Sequence, residues 1–168
     1  SHAEGLICLT GGHDGVLNRL VCNGRIGPAD VLLDRLEAAF GDRLYVELQR
    51  HGRPDDVTAE DYLVERAYAR GLPLVATNEP YFVTADRYGA HDALLCIAEG
   101  AYVSQTDRRQ VTSEHYFKSA AEMAERFSDL PEAIEATVEI ARRCAFRPRT
   151  CAPILPSFPT TGSRDEAA

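Results

Sequence analysis

Three short apolar runs alternate with longer segments in which apolar residues recur at helical spacing. The runs cover residues 5–10 (GLICLT), 43–49 (RLYVELQ) and 72–78 (LPLVATN), and each predicts a buried β-strand. In the second run Leu44, Val46 and Leu48 are expected to share the core face. Apolar strands that alternate with helices indicate an α/β fold with parallel strands and helical crossovers.

The helical segments carry start and stop signals. Asp14 is expected to cap a helix over 15–23, and Thr58 a helix over 59–71, with Asp61 three residues on. Further helices are predicted over 27–41, from about 85 to 100, after a Ser119–Glu122 capping box, and over 130–146. The predicted core positions of the 27–41 and 130–146 helices are Val31, Leu32, Leu36, Phe40, Ile134, Val138, Ile140 and Ala141.

Composition narrows the class of protein. The chain has 168 residues, is 45% hydrophobic and 26% charged, and carries a formal net charge of −8. These values are typical of one globular domain. An acidic chain is poorly suited to bind the phosphates of nucleic acid, so no direct DNA contact is expected. No apolar run reaches the roughly 18 residues of a membrane span, and no signal peptide is evident.

The five cysteines show no metal-ligand spacing. None belongs to a CxxC pair, so we interpret them as reduced, mostly buried thiols of a cytosolic protein rather than as a structural zinc site. They are Cys8, Cys22, Cys96, Cys144 and Cys151.

A glycine-rich turn, LTGGHDG (9–15), follows the first predicted strand. Backbone amides at such a turn can hold a phosphate. The turn lacks the lysine of a P-loop, and the carboxylate of Asp14 would repel an anion. A simple tight turn, with His13 exposed, is the favoured interpretation.

Parallel strands would bring Gly12, His51 and Glu79 to one edge of the sheet. Asp14, His51 and Glu79 could then form a weak metal cluster of carboxylate and imidazole ligands. The alternative is that Glu47 pairs with an arginine and that His51 is a solvated loop residue. Asn78 is expected to close the turn. For His91, a hydrogen-bonded histidine of the core or of an interface is favoured over a metal ligand.

Longer stretches resemble a known family. In chain order they are GLICLTGG (5–12), LYVELQRHGRPDD (44–56), GLPLVATNEPYF (71–82), AHDALLCIAEG (90–100), YFKSAAEMAERFSDLPEAIEATVEIARRC (116–144) and LPSFPT (155–160). Together they resemble the replicative, C-family bacterial DNA polymerase III alpha subunits. The similar region is the second half of the N-terminal polymerase-and-histidinol-phosphatase (PHP) domain.

The resemblance implies a partial, distorted β/α barrel of the PHP type, similar to a TIM barrel, with parallel strands. Residues 4–100 would form the second half of the barrel, and 101–147 a helical segment that closes it. Residues 148–168 would be a Pro-rich linker toward the palm with a disordered tail, and 1–3 a possible tag remnant.

The resemblance also implies a degenerate metal site. Metal-binding members hold up to three ions with His, Asp, Glu and Cys ligands. This chain has Gly12 where those members have Cys, Glu79 where they have Asp, and Tyr81 where they have His. No metal or other cofactor is therefore expected for this segment, whereas the parent polymerase would use Mg²⁺.

The function implied is that of a structural scaffold within a parent protein that carries out DNA-directed DNA synthesis. Its partners would be the palm of the same subunit and a separate proofreading exonuclease subunit, in the replisome of the bacterial cytoplasm. The alternative is a metal-dependent 3′–5′ exonuclease or phosphoesterase with residual Zn²⁺ or Mn²⁺ at Asp14, His51 and Glu79. A third interpretation, an unrelated PHP-type phosphatase, is disfavoured by the LPSFPT run toward a further domain.

Overall fold

The computed structural model describes residues 3–152, which form a small parallel sheet with helices against both of its faces. The strands are β1 (Cys8–Leu9), β2 (Leu44–Leu48) and β3 (Leu74–Ala76). The helices are α1 (Val16–Cys22), α2 (Ile26–Phe40), α3 (Pro54–Arg70), α4 (Tyr88–Glu99), α5 (Ala120–Arg126) and α6 (Pro131–Arg143). Short 3-10 turns cover Gly41–Arg43 and Ala85–Arg87.

The sheet has the order β1-β2-β3, and both pairs are parallel. Cys8 lies opposite Leu44, and Val46 lies opposite Leu74. The predicted α/β class and the parallel strands are confirmed. The described strands form an open sheet, so the closed PHP-type barrel stays a prediction.

The central strand β2 is buried on both of its faces. Leu44, Val46 and Leu48 pack into the main core, against α1, α2 and α3. Tyr45 points to the other face and is fully buried with Val75 and Ala136 of α6. The alternating pattern therefore predicted one core face correctly and missed the second. Tyr45 counts as a polar position in that pattern, but its ring is buried and only its hydroxyl needs a partner, which it finds by donating to Glu139 at 2.8 Å.

Helix α3 begins at Pro54, five residues before the predicted start, so the predicted Thr58 cap is wrong. Proline at the first position suits a helix start. The Asp56 carboxylate accepts the backbone N–H of Arg53 at 3.1 Å and that of His51 at 2.9 Å. Thr58 lies inside the helix and donates only to the Pro54 carbonyl, at 3.4 Å.

Other boundaries follow the sequence signals more closely. Helix α2 ends at Gly41, α4 ends at Gly100 in the left-handed conformation, and the Ser119–Glu122 capping box is present, all as predicted. Helix α1 starts after Gly15 without a side-chain cap, so the predicted Asp14 cap is wrong.

In two helices the buried stripe is offset from the predicted core positions. Val31 and Val138 are exposed, as is Ala141, whereas the buried positions are Ala29, Leu33, Ala133 and Ala136. Alanines let the backbones approach closely, and periodicity alone does not favour them over larger neighbours. Leu32, Leu36, Phe40, Ile134 and Ile140 pack partly buried, as expected.

None of the five cysteines forms a disulfide. Only Cys96 is buried, and Cys144 and Cys151 are exposed, so the expectation of mostly buried thiols is wrong. A bilayer-spanning helix is absent from residues 3–152. The predicted LPSFPT linker and tail, from residue 153 onward, and residues 1 and 2 of the possible tag lie outside the described residues.

Candidate functional site

The carboxyl ends of the three strands share one edge of the sheet, as predicted. Gly12 follows β1, His51 follows β2 and Glu79 follows β3. Thr10 N–H donates to the Tyr45 carbonyl at 3.1 Å, and Thr77 N–H donates to the Leu48 carbonyl at 3.0 Å, so the strand ends remain in register. This edge forms an open cleft.

The cleft has two adjoining cavities. One, of about 460 Å³, is lined by Gly12, Glu47, Gln49, Thr77 and Glu79, among others. The second, of about 290 Å³, is lined by His13, Asp14, Arg53, Glu79, Tyr81, Arg108, Arg109 and His115, among others. Asp14 and Glu79 line both cavities and therefore lie at their junction.

A hydrogen-bond network centred on Gln49 closes the floor of the first cavity. The Gln49 amide Nε2 donates to Thr77 Oγ1 at 3.1 Å, and its carbonyl Oε1 accepts the His13 backbone N–H at 3.2 Å. Thr77 Oγ1 in turn donates to Glu47 Oε1 at 2.5 Å. Glu47 is thus held by a hydroxyl and an amide, and the predicted pairing with an arginine is wrong.

The Gln49 amide occupies the space beside Gly12. A Cβ atom added at Gly12 would lie 1.9 Å from Gln49 Oε1 and 2.1 Å from Gln49 Cδ, well inside contact distance. Gly12 does not have a positive φ, so a side chain at this position would meet the Gln49 amide and not backbone strain. A cysteine at position 12 is sterically incompatible with Gln49 in its present position.

Glu79 and Tyr81 are partners of each other. The Tyr81 hydroxyl donates to Glu79 Oε1 at 2.5 Å, and both side chains are exposed. This hydrogen bond raises the pKa of Tyr81, because ionisation of the phenol would place a second negative charge beside the carboxylate.

His51 is buried rather than solvated, with 1% of its surface exposed. Its ring stacks on His115 with centroids 3.8 Å apart and planes 14° apart. Neither ring nitrogen of His51 has a hydrogen-bond partner within residues 3–152. Burial lowers the pKa of His51, and burial next to His51 lowers the pKa of His115 to about 4. Both rings are therefore neutral at pH 7.

Asn78 and His91 continue this wall of the cleft. The Asn78 amide donates to the Tyr116 carbonyl at 2.8 Å, so Asn78 holds the 110–117 loop instead of closing its own turn. The His91 ring lies between Tyr81 and Phe82, with centroids 5.4 Å from each. Its buried Nδ1 has no hydrogen-bond partner within the described residues, contrary to the expectation for a core histidine.

The donor set does not fit a metal centre of the PHP type. Asp14 and Glu79 line both cavities, whereas His51 lines neither and stacks on the His115 ring. Within residues 3–152 no three His, Cys, Asp or Glu side chains are grouped to hold a metal ion. Position 12 offers no side chain, and position 81 offers a phenol already bound to Glu79. The metal content of the protein stays a prediction.

Arginines line the second cavity, but two of them have internal partners. Arg108 forms a two-pronged ion pair with the buried Asp92, at 2.6 and 2.7 Å. Arg53 Nη2 donates to the Gln110 carbonyl at 2.7 Å. These contacts fix the rim of the cavity.

Sequence reasoning missed Gln49, Thr77 and His115 as members of this site. Gln49 stands two residues after Glu47, so the period of a strand places both on one face, and this signal was available. His115 comes from a loop 64 positions beyond His51, and no local pattern links the two residues.

Comparison with known proteins identifies relatives of this chain that are much longer than it is. No family model matches it. It is 54% identical over 166 residues to the DNA polymerase III subunit alpha of Caulobacter vibrioides, 42% identical over 159 residues to that of Rickettsia bellii, and 40% identical over 158 residues to that of Escherichia coli. These alignments cover 99%, 95% and 94% of this chain, but only 14% of each relative. The chain is therefore homologous to a segment of the bacterial DNA polymerase III alpha subunit.

Proposed function

We propose that this chain is a PHP segment of a bacterial replicative polymerase subunit, in which a hydrogen-bonded core has replaced a metal site and the segment acts as a structural scaffold. The observation that carries the proposal is the Gln49 amide in the space beside Gly12. Its bonds to Thr77 and the His13 backbone join the ends of all three strands.

In this site hydrogen bonds take over the structural role of a metal ion. A metal ion at the carboxyl ends of parallel strands ties those ends together through its ligands. Here the strand ends are tied by hydrogen bonds among the Gln49 amide, the Thr77 hydroxyl, the Glu47 carboxylate and the His13 backbone. A hydrogen-bonded polar network can hold a site together without an ion, and the half-buried Glu47, Gln49 and Thr77 form one here.

A second contact network supports the scaffold role. Arg50, just after β2, makes a two-pronged contact with Glu60 of α3 and another with Asp129 between α5 and α6. Its guanidinium also lies 4.5 Å from the Phe127 ring centroid. The bonds to Asp129 and Glu60 raise the pKa of Arg50. One side chain thus links three elements around the cleft.

The partners proposed are the palm of the parent subunit and the proofreading exonuclease subunit, within the replisome of the cytoplasm. A net charge of −8 favours a protein partner over direct DNA contact. The parent protein would carry out DNA-directed DNA synthesis with Mg²⁺.

The alternative is a metal-dependent 3′–5′ exonuclease or phosphoesterase. The observation in its favour is that Asp14 and Glu79 line the same cavities, beside Arg53 and Arg109. The network around Gln49 and Gly12 argues for the scaffold instead.

The experiment compares Glu79→Ala and Gln49→Ala in the intact parent subunit. The scaffold role predicts that the unmodified subunit shows no degradation of a 3′ end that depends on added Zn²⁺ or Mn²⁺, and that neither substitution changes this. It also predicts that Gln49→Ala lowers the melting temperature and Glu79→Ala leaves it nearly unchanged. A metal-dependent nuclease activity that Glu79→Ala removes would favour the alternative and overturn the scaffold.

Docking of the proofreading subunit has its own test. The purified exonuclease subunit should bind the intact parent subunit, and a docking surface on this segment should be competed by an excess of the separate N-terminal domain. Undiminished binding in the presence of that competitor would remove docking from the proposal and leave the scaffold role standing.

A further inference from the structure

Helix α4 presents an apolar stripe to solvent. Ala90, Leu94, Ile97 and Ala98 follow at spacings of i, i+4, i+7 and i+8 and are all exposed. Leu94 and Ile97 are 63% and 78% exposed. This spacing keeps the side chains on one side of a helix, and such a stripe ordinarily faces a core.

The inner side of α4 is polar by comparison. Asp92 is buried there in its ion pair with Arg108, whose bond lowers the pKa of the Asp92 carboxyl. Cys96, one turn further on, is the other buried residue of the helix. The Asp92–Arg108 pair therefore fixes the rotation of α4 with its apolar stripe turned outward.

Two further exposed apolar side chains follow the end of the helix. Tyr102 and Val103 follow Gly100 and are 74% and 61% exposed. We call these side chains the α4 apolar face, made of Ala90, Leu94, Ile97, Ala98, Tyr102 and Val103. From Gly89 to Ala98 the only Asp, Glu, Lys or Arg is the buried Asp92.

The scarcity of charge on the helical part of this face, where the exposed Glu99 stands only at its end, distinguishes between kinds of occupant. Reversible protein interfaces carry a polar rim around their apolar centre, whereas permanent contacts resemble a core cut in half. An uncovered apolar patch is also an aggregation hazard. The alignments cover 14% of each relative, so most of a parent polypeptide lies outside this chain.

We propose that the α4 apolar face is permanently covered by an apolar element of the same parent polypeptide, from the part outside these 168 residues. The inference rests on the proposed function in so far as the chain is a segment of the polymerase subunit. It adds the surface through which the segment is joined to the rest of that subunit.

Photo-crosslinking in the intact parent subunit tests this proposal. The photoreactive residue p-benzoylphenylalanine replaces Tyr102, which preserves an aromatic ring, and in a second protein it replaces Ile97. After irradiation and digestion, mass spectrometry should find cross-links to peptides of the same polypeptide outside these 168 residues. Their yield should not change when the protein is diluted.

Val57 is the matched control position. It is 68% exposed but lies on α3 among Asp55, Asp56, Glu60 and Asp61, so it should not cross-link to those outside peptides. The proposal is overturned if both test positions give no cross-link outside the segment, or if Val57 reaches the same peptides. A dilution-sensitive cross-linked dimer would also overturn it, and would show that a second copy covers the face.

A negative result for the α4 apolar face is distinguishable from a negative result for the scaffold role. A nuclease activity that depends on Glu79 would overturn the scaffold and leave the cross-links unaffected. Missing cross-links would remove this interface without restoring a metal site.

Discussion

At the scale of single residues, Gly12 and Gln49 depend on each other. A Gly12→Ala substitution would force the Gln49 amide out of its place and break its bonds to Thr77 and the His13 backbone. The Gln49 amide is the flexible, half-buried end of its side chain and can swing into the open cavity, so we expect the free energy of unfolding to fall by about 0.5–1.5 kcal/mol, the usual contribution of a hydrogen bond. Urea denaturation measures the loss.

The double variant makes that prediction specific. Gly12→Ala in a Gln49→Ala background should cost much less than Gly12→Ala alone, because the overlapping atoms are gone, and the cycle should show a coupling between the two sites. Additive losses would contradict the steric account.

The stacked histidines predict a pH dependence. An unfolded histidine has a pKa of about 6.5, and in the folded chain the pKa of His115 is lowered to about 4. The neutral ring therefore contributes fully above about pH 6.5, and its contribution is lost as the pH falls toward 4, because only the unfolded state takes up the proton. His115 alone should lower the free energy of unfolding by about 2 kcal/mol between pH 7 and pH 5.

His115→Phe is the control for this effect, since phenylalanine can stack on His51 but cannot titrate. Denaturation of both proteins at pH 7 and pH 5 should show a smaller loss for the variant. An equal loss in both would mean that His115 does not titrate as its burial requires.

At the scale of elements, the start of α3 depends on Asp56. Asp56→Ala removes the acceptor for two backbone N–H groups, of His51 and Arg53, and should cost about 1–3 kcal/mol of unfolding free energy. Thr58→Ala, at the cap that the sequence predicted, should change it by less than about 0.5 kcal/mol. Thermal unfolding of the two variants compares them, and a larger loss for Thr58→Ala would contradict the helix start described here.

The sequence could predict which elements form, but not every face that they bury. Continuous apolar runs and Gly or Ser caps placed all three strands and most helix ends. The choice between Val31 and Leu33, or Val138 and Ala136, depends on how closely the partner backbones approach, and helical periodicity carries no such information. Helix α4 could not be oriented from its pattern either, since the Asp92–Arg108 pair overrides the apolar stripe.

At the scale of the whole molecule, Arg50 holds the cleft edge to α3 and to the α5–α6 turn. Arg50→Lys keeps the charge but loses the planar guanidinium, which binds the carboxylates of Glu60 and Asp129 at the same time. We therefore expect the melting temperature to fall. Arg87→Lys, in an exposed pair with Asp86, should leave it unchanged. Equal melting temperatures for the two variants would contradict a linking role for Arg50.

The candidate site could be located from the sequence but not interpreted fully. Parallel strands placed Gly12, His51 and Glu79 at one edge, because that follows from topology alone. The stacking of His51 on His115 and the filling of the Gly12 space by Gln49 depend on contacts between distant segments. Because of those contacts, we interpret the site as a connected network of side chains rather than as a set of missing metal ligands.

The central claim is that hydrogen bonds have replaced the metal at this cleft. The most direct test is elemental analysis of the intact parent subunit, purified without chelator, for zinc, manganese and iron. The account predicts less than about one tenth of an equivalent of each metal, since a site without its ligands has little affinity. Near-stoichiometric metal that is lost in Glu79→Ala would contradict it and identify the cleft as a working metal centre.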